Sequence, residues 1–301
     1  MTALALDIGG TKVAAALVDA DASVRRWRSA PTGTDPWPVV AGLAVEVARD
    51  TVLAGVGVGC GGPMRWPEGV VSPLNIARWR DGFPLRERLR DLFPAVPIRV
   101  HNDAACVAVG EHWAGAGRGC RDLLGMVVST GVGGGVVLAD RLVDGATGNA
   151  GHIGHLQVET GGPRCACGGT GCLEAVASGP AIVAWARARG LPAGDGREVA
   201  ELAATGHPLA TEALGRAGAA TGRAIASAAA LLDVSVVAVG GGVSQAGDPF
   251  WRPLLDAVRD QAGLGFLRGL QVVPAQCGQQ AGLVGAAALV LRADQYWSPP
   301  H

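Results

Sequence analysis

The chain has neither an excess of one charge nor a long apolar run, and each absence excludes a class of function. Lys and Arg number 25 against 26 Asp and Glu in 301 residues, for a net charge of −1. That balance gives no electrostatic reason to expect nucleic acid or an anionic membrane as a partner. No apolar stretch approaches the roughly 20 residues needed to span a bilayer. The opening run, Met-Thr-Ala-Leu-Ala-Leu-Asp7, enters a strand-like pattern without the cationic and apolar regions of a secretory leader. Also absent is a Ser/Pro-rich linker. Seven cysteines is an odd count, and Cys60, Cys106, Cys120 and Cys277 are scattered. These four read as small buried apolar side chains, which suits a reducing cytoplasm.

What is present is glycine, 47 residues of it, gathered at 9–10, 59–62, 131–135, 168–171 and 240–242. Glycine lets backbone N–H groups approach a ligand closely, so such clusters suggest backbone-lined ligand loops. Residues 3–8 and 13–18 read as strands about a glycine turn, and residues 123–129 and 136–138 repeat that device. Helical spacing covers residues 39–51, 85–92, 104–115, 180–188, 209–232, 250–261 and 281–291, with further strands at 55–58, 98–100, 234–239 and 271–274. Alternating strands and helices predict α/β sheets covered on both faces. We expect two domains: residues 1–104, joined by a C-terminal helix at about 281–301, and residues 105–280.

Two glycine turns opening strand hairpins, with a third cluster after a later strand, supply what a nucleotide triphosphate needs. Backbone amides and the Thr11 and Thr130 hydroxyls can cradle phosphate oxygens without a large cationic patch. The candidate residues are Gly9, Gly10, Thr11 and Lys12, then Thr130, Gly131, Gly133 and Gly134, then Gly241 and Gly242. No Walker A run is present, and no Gly-x-Gly-x-x-Gly joins a first strand to a helix. A tight hairpin would explain any single run; three within an alternating sheet favour the ligand.

The most specific segment is Cys165-Ala-Cys-Gly-Gly-Thr-Gly-Cys-Leu-Glu174. Cys165, Cys167 and Cys172 can converge on one cation, leaving one position of a zinc tetrahedron to fill. His155, within Gly151-His-Ile-Gly-His155, is the natural fourth ligand. A closed site of this kind is structural, holding His152, His155 and Glu174 rigid. Asn102-Asp103 stands at a strand-to-helix junction, where Asp103 could be a plain N-cap or a base for a hydroxyl acceptor.

These runs together, with Asp7-Ile-Gly-Gly-Thr-Lys12 and Ser129-Thr-Gly-Val-Gly-Gly-Gly135, resemble the ROK family of sugar kinases and repressors across residues 3–291. The resemblance implies a duplicated actin/hexokinase-like (ribonuclease H-type) α/β fold of two domains, with a nucleotide cleft between them. It also implies ATP, Mg2+, a structural Zn2+, and a homodimer or homotetramer. By the same resemblance Asn102 binds sugar and Asp103 is the catalytic base for the 6-hydroxyl. His155 and Glu174 contact sugar hydroxyls, His155 through the ring nitrogen not on zinc. Asn75 lines the sugar pocket, and Asp7 stands near the magnesium–phosphate group through water.

Many family kinases carry Glu where this chain has His152, which here resembles bacterial N-acetylmannosamine kinases. Imidazole in place of an acceptor-only carboxylate changes which C1 and C2 groups can be recognised. An amino or N-acyl amino hexose (N-acylmannosamine, glucosamine or 3-amino-3-deoxyglucose) is therefore expected ahead of glucose or a cyclitol. A sugar-sensing repressor is disfavoured, since only six residues precede Asp7. His101, His112, His207 and His301 read as ordinary surface or packing residues.

Overall fold

Strand β1 (Thr2–Ile8) alternates leucine or isoleucine with alanine, and the alternation builds two unlike cores on the faces of one sheet. Leu4, Leu6 and Ile8 join Val40 and Ala44 of α1 (Pro36–Ala48) and Leu85 and Leu89 of α2 (Leu85–Leu92). Ala3 and Ala5 face Ala105, Cys106 and Val109 of α3 (Asp103–Ala114) and Leu283 and Ala286 of the helix Ala281–Leu291. Small side chains on that face let the two helices lie close, and Gly57 leaves no room for a side chain against the Ala286 carbonyl. Because side chains alternate along a strand, Asp7 falls on the alanine face, toward α3.

The computed structural model describes residues 1–298 and divides into two units. Unit 1 holds residues 1–121, 135–151 and the chain from 276 onward; unit 2 holds residues 122–134 and 152–275. The first sheet adds β2 (Lys12–Asp19), β3 (Val24–Pro31), β4 (Gly55–Cys60) and β7 (Ile98–Asn102), in the order β3-β2-β1-β4-β7. A separate two-stranded ribbon pairs β5 (Met64–Arg65) with β6 (Val70–Val71). The second sheet contains β8 (Leu123–Val128), β9 (Val132–Leu138), β10 (Arg141–Leu142), β11 (Val236–Gly240) and β12 (Gln271–Pro274), in the order β10-β9-β8-β11-β12.

Counted from its own first strand, each sheet runs 3-2-1-4-5, with a hairpin leading into parallel strands. That shared order is the duplication of the actin/hexokinase-type fold. The remaining helices are α4 (Leu173–Ala177), α5 (Gly179–Arg187), α6 (Gly196–Ala204), α7 (Pro208–Leu232), α8 (Asp248–Gln261), α9 (Ala281–Leu291) and α10 (Ala293–Tyr296). The expected C-terminal helix is thus two helices, and residues 299–301, including His301, lie outside the described residues. Helix α1 starts at Pro36 rather than residue 39 because Asp35 caps it, its carboxylate accepting the Trp37 N–H, with Pro36 fitting the first helical position. Among the described residues no helix is long and apolar enough to cross a membrane.

Candidate active site

In unit 1 the hairpin between β1 and β2 is closed by Gly9 N–H to Lys12 O at 2.9 Å. Buried Thr32 braces it, donating its hydroxyl to Gly9 O at 2.7 Å and its N–H to Thr11 O at 3.1 Å. Thr11 and Lys12 remain exposed. Lys12 is the sole lysine of the chain, and its ammonium lies 5.9 Å from the Trp27 ring centre. Asn75 stands directly over the hairpin: a Cβ added to Gly10 would sit 2.8 Å from its Nδ2.

Asn102 and Asp103 divide the work at the β7–α3 junction. Asn102 has extended backbone angles, and its Oδ1 accepts from Ala104 N–H at 3.0 Å and Ala105 N–H at 3.3 Å, so Asn102 is the cap. Its Nδ2 takes no part in the cap. Asp103 is the first helical residue, and its Oδ1 accepts from Ala104 N–H at 2.8 Å. The other oxygen, Oδ2, faces the Gly61 loop together with Asn75.

Burial, and then the neighbouring Asp103 charge, push the Asp7 carboxyl up to about 7, with Lys12 pulling the other way. Asp7 and Asp103 are near enough for their charges to interact, and carboxylate oxygens are the donors a divalent cation such as magnesium takes.

In unit 2 the corresponding hairpin is closed by Ser129 N–H to Gly131 O at 2.8 Å. It is tighter than the sequence suggests: β9 begins at Val132, so Gly133 and Gly134 are strand residues and only Thr130 and Gly131 occupy the turn. Glu174, in α4, rests on this turn, its Oε2 accepting the Val132 N–H at 3.0 Å. Gly154 backs onto the Val132 carbonyl, seating the short helical turn Ile153–His155 on the same hairpin. The His152 and His155 rings lie 6.1 Å apart and 25° from parallel. Gly241, at φ +94°, turns the chain against the Val128 carbonyl where a side chain would clash, and Gly242 lies beside the Ser129 hydroxyl.

His155, Cys165, Cys167 and Cys172 bring one ligand atom each within 4.8 Å of one another. The Cys167–Cys172 sulfur separation and the distance from Cys165 Sγ to His155 Nδ1 are both 3.7 Å. A tetrahedron with Zn–S near 2.3 Å has edges of about 3.8 Å, so the cluster fits zinc with His155 Nδ1 as ligand and Nε2 directed elsewhere. The loop is tethered to α7 by Arg216 Nη2 to Glu159 Oε2 at 2.6 Å, and Val158 N–H donates to Gly171 O at 2.9 Å.

Three contacts here escape the sequence reading: His101 with Asp144, Asn149 with Met64, and Glu111 with the Gln276–Cys277 backbone. His101 is no ordinary packing residue, since both ring nitrogens are engaged.

A sequence profile of the ROK family matches residues 3–293, and the chain belongs to that family. It is 33% identical to a glucokinase of Streptomyces coelicolor over 312 residues, covering 97% of this chain and 98% of that protein. It is 36% identical over 299 residues to an N-acetylmannosamine kinase of Escherichia coli O9:H4, covering 96% and 98% respectively. Among solved structures, a ROK family glucokinase from Streptomyces griseus in complex with glucose and AMPPNP superposes with a TM-score of 0.85 at 31% identity, covering 96% of this chain and 99% of that one. The enzyme class is accordingly that of a carbohydrate kinase.

Proposed function

We propose that the chain transfers the γ-phosphoryl group of ATP to the 6-hydroxyl of a hexose bearing an amino or N-acyl amino group, with N-acylmannosamine foremost. The observation that carries the reading is Asp103: a neighbouring residue takes the capping role, leaving Oδ2 toward the Gly61 loop beside Asn75 and Asp7. In the transfer, the hydroxyl oxygen bonds to the γ-phosphorus, the bond to the β–γ bridging oxygen breaks, and the hydroxyl proton passes to Asp103. The Gly9–Lys12 and Ser129–Gly131 hairpins, with Gly241 and Gly242, offer amides and hydroxyls to the phosphates. Magnesium, when bound, neutralises phosphate charge; Asp7 would hold it through water. Glu174, Asn102 Nδ2 and the zinc-fixed His155 orient sugar hydroxyls, and zinc supplies rigidity rather than chemistry.

For the substrate, His152 and the 36% identity to an N-acetylmannosamine kinase support an amino sugar. A second reading, glucokinase, is supported by the Streptomyces relatives. An ADP-release assay across hexoses, amino hexoses and N-acyl hexosamines decides between them. We expect kcat/KM to be highest for an N-acylated or amino sugar; highest turnover on glucose selects the second reading, and no turnover on any sugar rejects both. A homodimer or homotetramer in the cytoplasm accompanies this reading, and light scattering of the purified protein tests the assembly.

A further inference from the structure

Among the described residues strand β7 is the edge of its sheet, so the N–H groups on its open side have no strand to receive them. At the end of β7 the Asn102 N–H is received by the ring of the residue before it, with His101 Nδ1 at 2.8 Å. A backbone N–H can only donate, so Nδ1 carries no proton and the neutral imidazole holds its proton on Nε2. Nε2 lies 2.9 Å from Asp144 Oδ1 and donates to it. The chain of bonds runs from the Asp144 carboxylate through the imidazole to the backbone of Asn102, the residue next to Asp103. Both side chains are enclosed, His101 at 1% exposure and Asp144 at 10%.

Asp144 is itself held firmly. Five residues on, Asn149 grips the Met64 backbone at two points, accepting its N–H at 3.1 Å and donating to its carbonyl at 3.0 Å. Between them Gly148, at φ +76°, lies against Trp66 where any side chain would collide. The Trp66 ring in turn lies 6.2 Å from the His101 ring. Residues 144–149 therefore clamp the Met64–Trp66 loop at one end and the Asn102–Asp103 turn at the other.

We propose that Asp144 and His101 are positioning residues for Asp103, fixing the Asn102 peptide from which the carboxylate and the cap both depart. The proposal rests on Asp103 being the proton acceptor. The imidazole works as a neutral relay that donates from Nε2 and accepts at Nδ1, so an amide at position 144, whose oxygen can still accept from Nε2–H, replaces the carboxylate.

The test is steady-state kinetics with separate kcat and KM for sugar and ATP, alongside thermal melting, for Asp144→Asn, Asp144→Leu, Asp144→Ser, His101→Phe and Asp103→Asn. We expect Asp144→Asn to retain kcat within about threefold, because the acceptor survives. Asp144→Leu, Asp144→Ser and His101→Phe should lose kcat by about 10- to 100-fold with both KM values within about threefold, as for a displaced catalytic group. Normal kcat in all three overturns the proposal, as does loss of kcat only in variants that no longer fold. A fall in Asp144→Asn as large as in Asp144→Leu overturns the neutral imidazole. Full activity in Asp103→Asn would instead reject the base assignment, which keeps the two failures distinct.

Discussion

The Glu174 carboxylate sits on the turn of the second glycine hairpin, accepting the buried Val132 N–H at 3.0 Å. One oxygen thus holds the turn, and the proposed sugar contact would fall to the other. The two duties separate by mutation. Glu174→Gln keeps an acceptor for Val132 but loses the charge; we expect little change in stability and a sugar KM raised about 10- to 100-fold, the worth of one charge-assisted bond. Glu174→Ala also orphans the Val132 N–H and should lower unfolding free energy by about 1–3 kcal/mol. Coupled-assay kinetics and urea melts measure the two effects, and equal KM changes without any stability difference would show that the turn does not depend on Glu174.

The cysteine cluster predicts a metal-dependent fold. Cys165→Ser and Cys172→Ser should each lose most bound zinc by elemental analysis, since both ligands are buried and lie at the centre of the loop. Melting temperature should fall in step, because zinc ligation contributes directly to folding in closed sites. Exposed Cys167 should behave likewise if all three thiolates coordinate. Metal content unchanged in these variants would refute the ligand set.

Asp7 predicts a pH dependence in the magnesium-free, nucleotide-free protein. Its carboxyl rises from 3.8 to about 7 on folding, through burial first and Asp103 second. The folded state therefore holds a proton that the unfolded chain releases above pH 3.8. The associated stability is full below that value and is lost as pH climbs through about 7. Asp7→Asn should match the parent at pH 4 and exceed it at pH 8, with a ceiling on the order of 4 kcal/mol that partial exposure lessens. Denaturant titrations without added magnesium or nucleotide at the two pH values measure it; a constant offset would mean that Asp7 is ionised throughout.

The parts of this molecule that were legible in the sequence are those whose physics is local. The β1–β2 and β8–β9 hairpins announce themselves by apolar runs about glycine, and the four residues of the His/Cys cluster lie within 18 residues. Adjacent Asn102 and Asp103 posed a harder case. Both are good caps, and only the extended backbone at Asn102 assigns the role to it and makes Asp103 the first helical residue. What stayed hidden is joined across long stretches of chain. His101 meets Asp144 43 residues away, and Asn149 meets Met64 85 residues away. Glu111, fully buried, receives the N–H groups of Ala116, Gln276 and Cys277, the last 166 residues distant. No periodicity encodes such pairs, because topology alone makes them neighbours. The glycine run 131–135 misled for a related reason: it reads as turn, yet Gly135 is needed inside β9 where α3 passes too closely for a side chain.

Lys12 gives the protein an unusual handle. Apart from an α-amine, reagents that acylate or reductively alkylate primary amines find one target in 301 residues, and it projects from the first hairpin. Coupling to amine-reactive beads or dyes would tether the enzyme by the very loop proposed to meet phosphate. Conversely, isotopically tagged methyl groups placed on that nitrogen would give a single spectroscopic signal reporting nucleotide arrival.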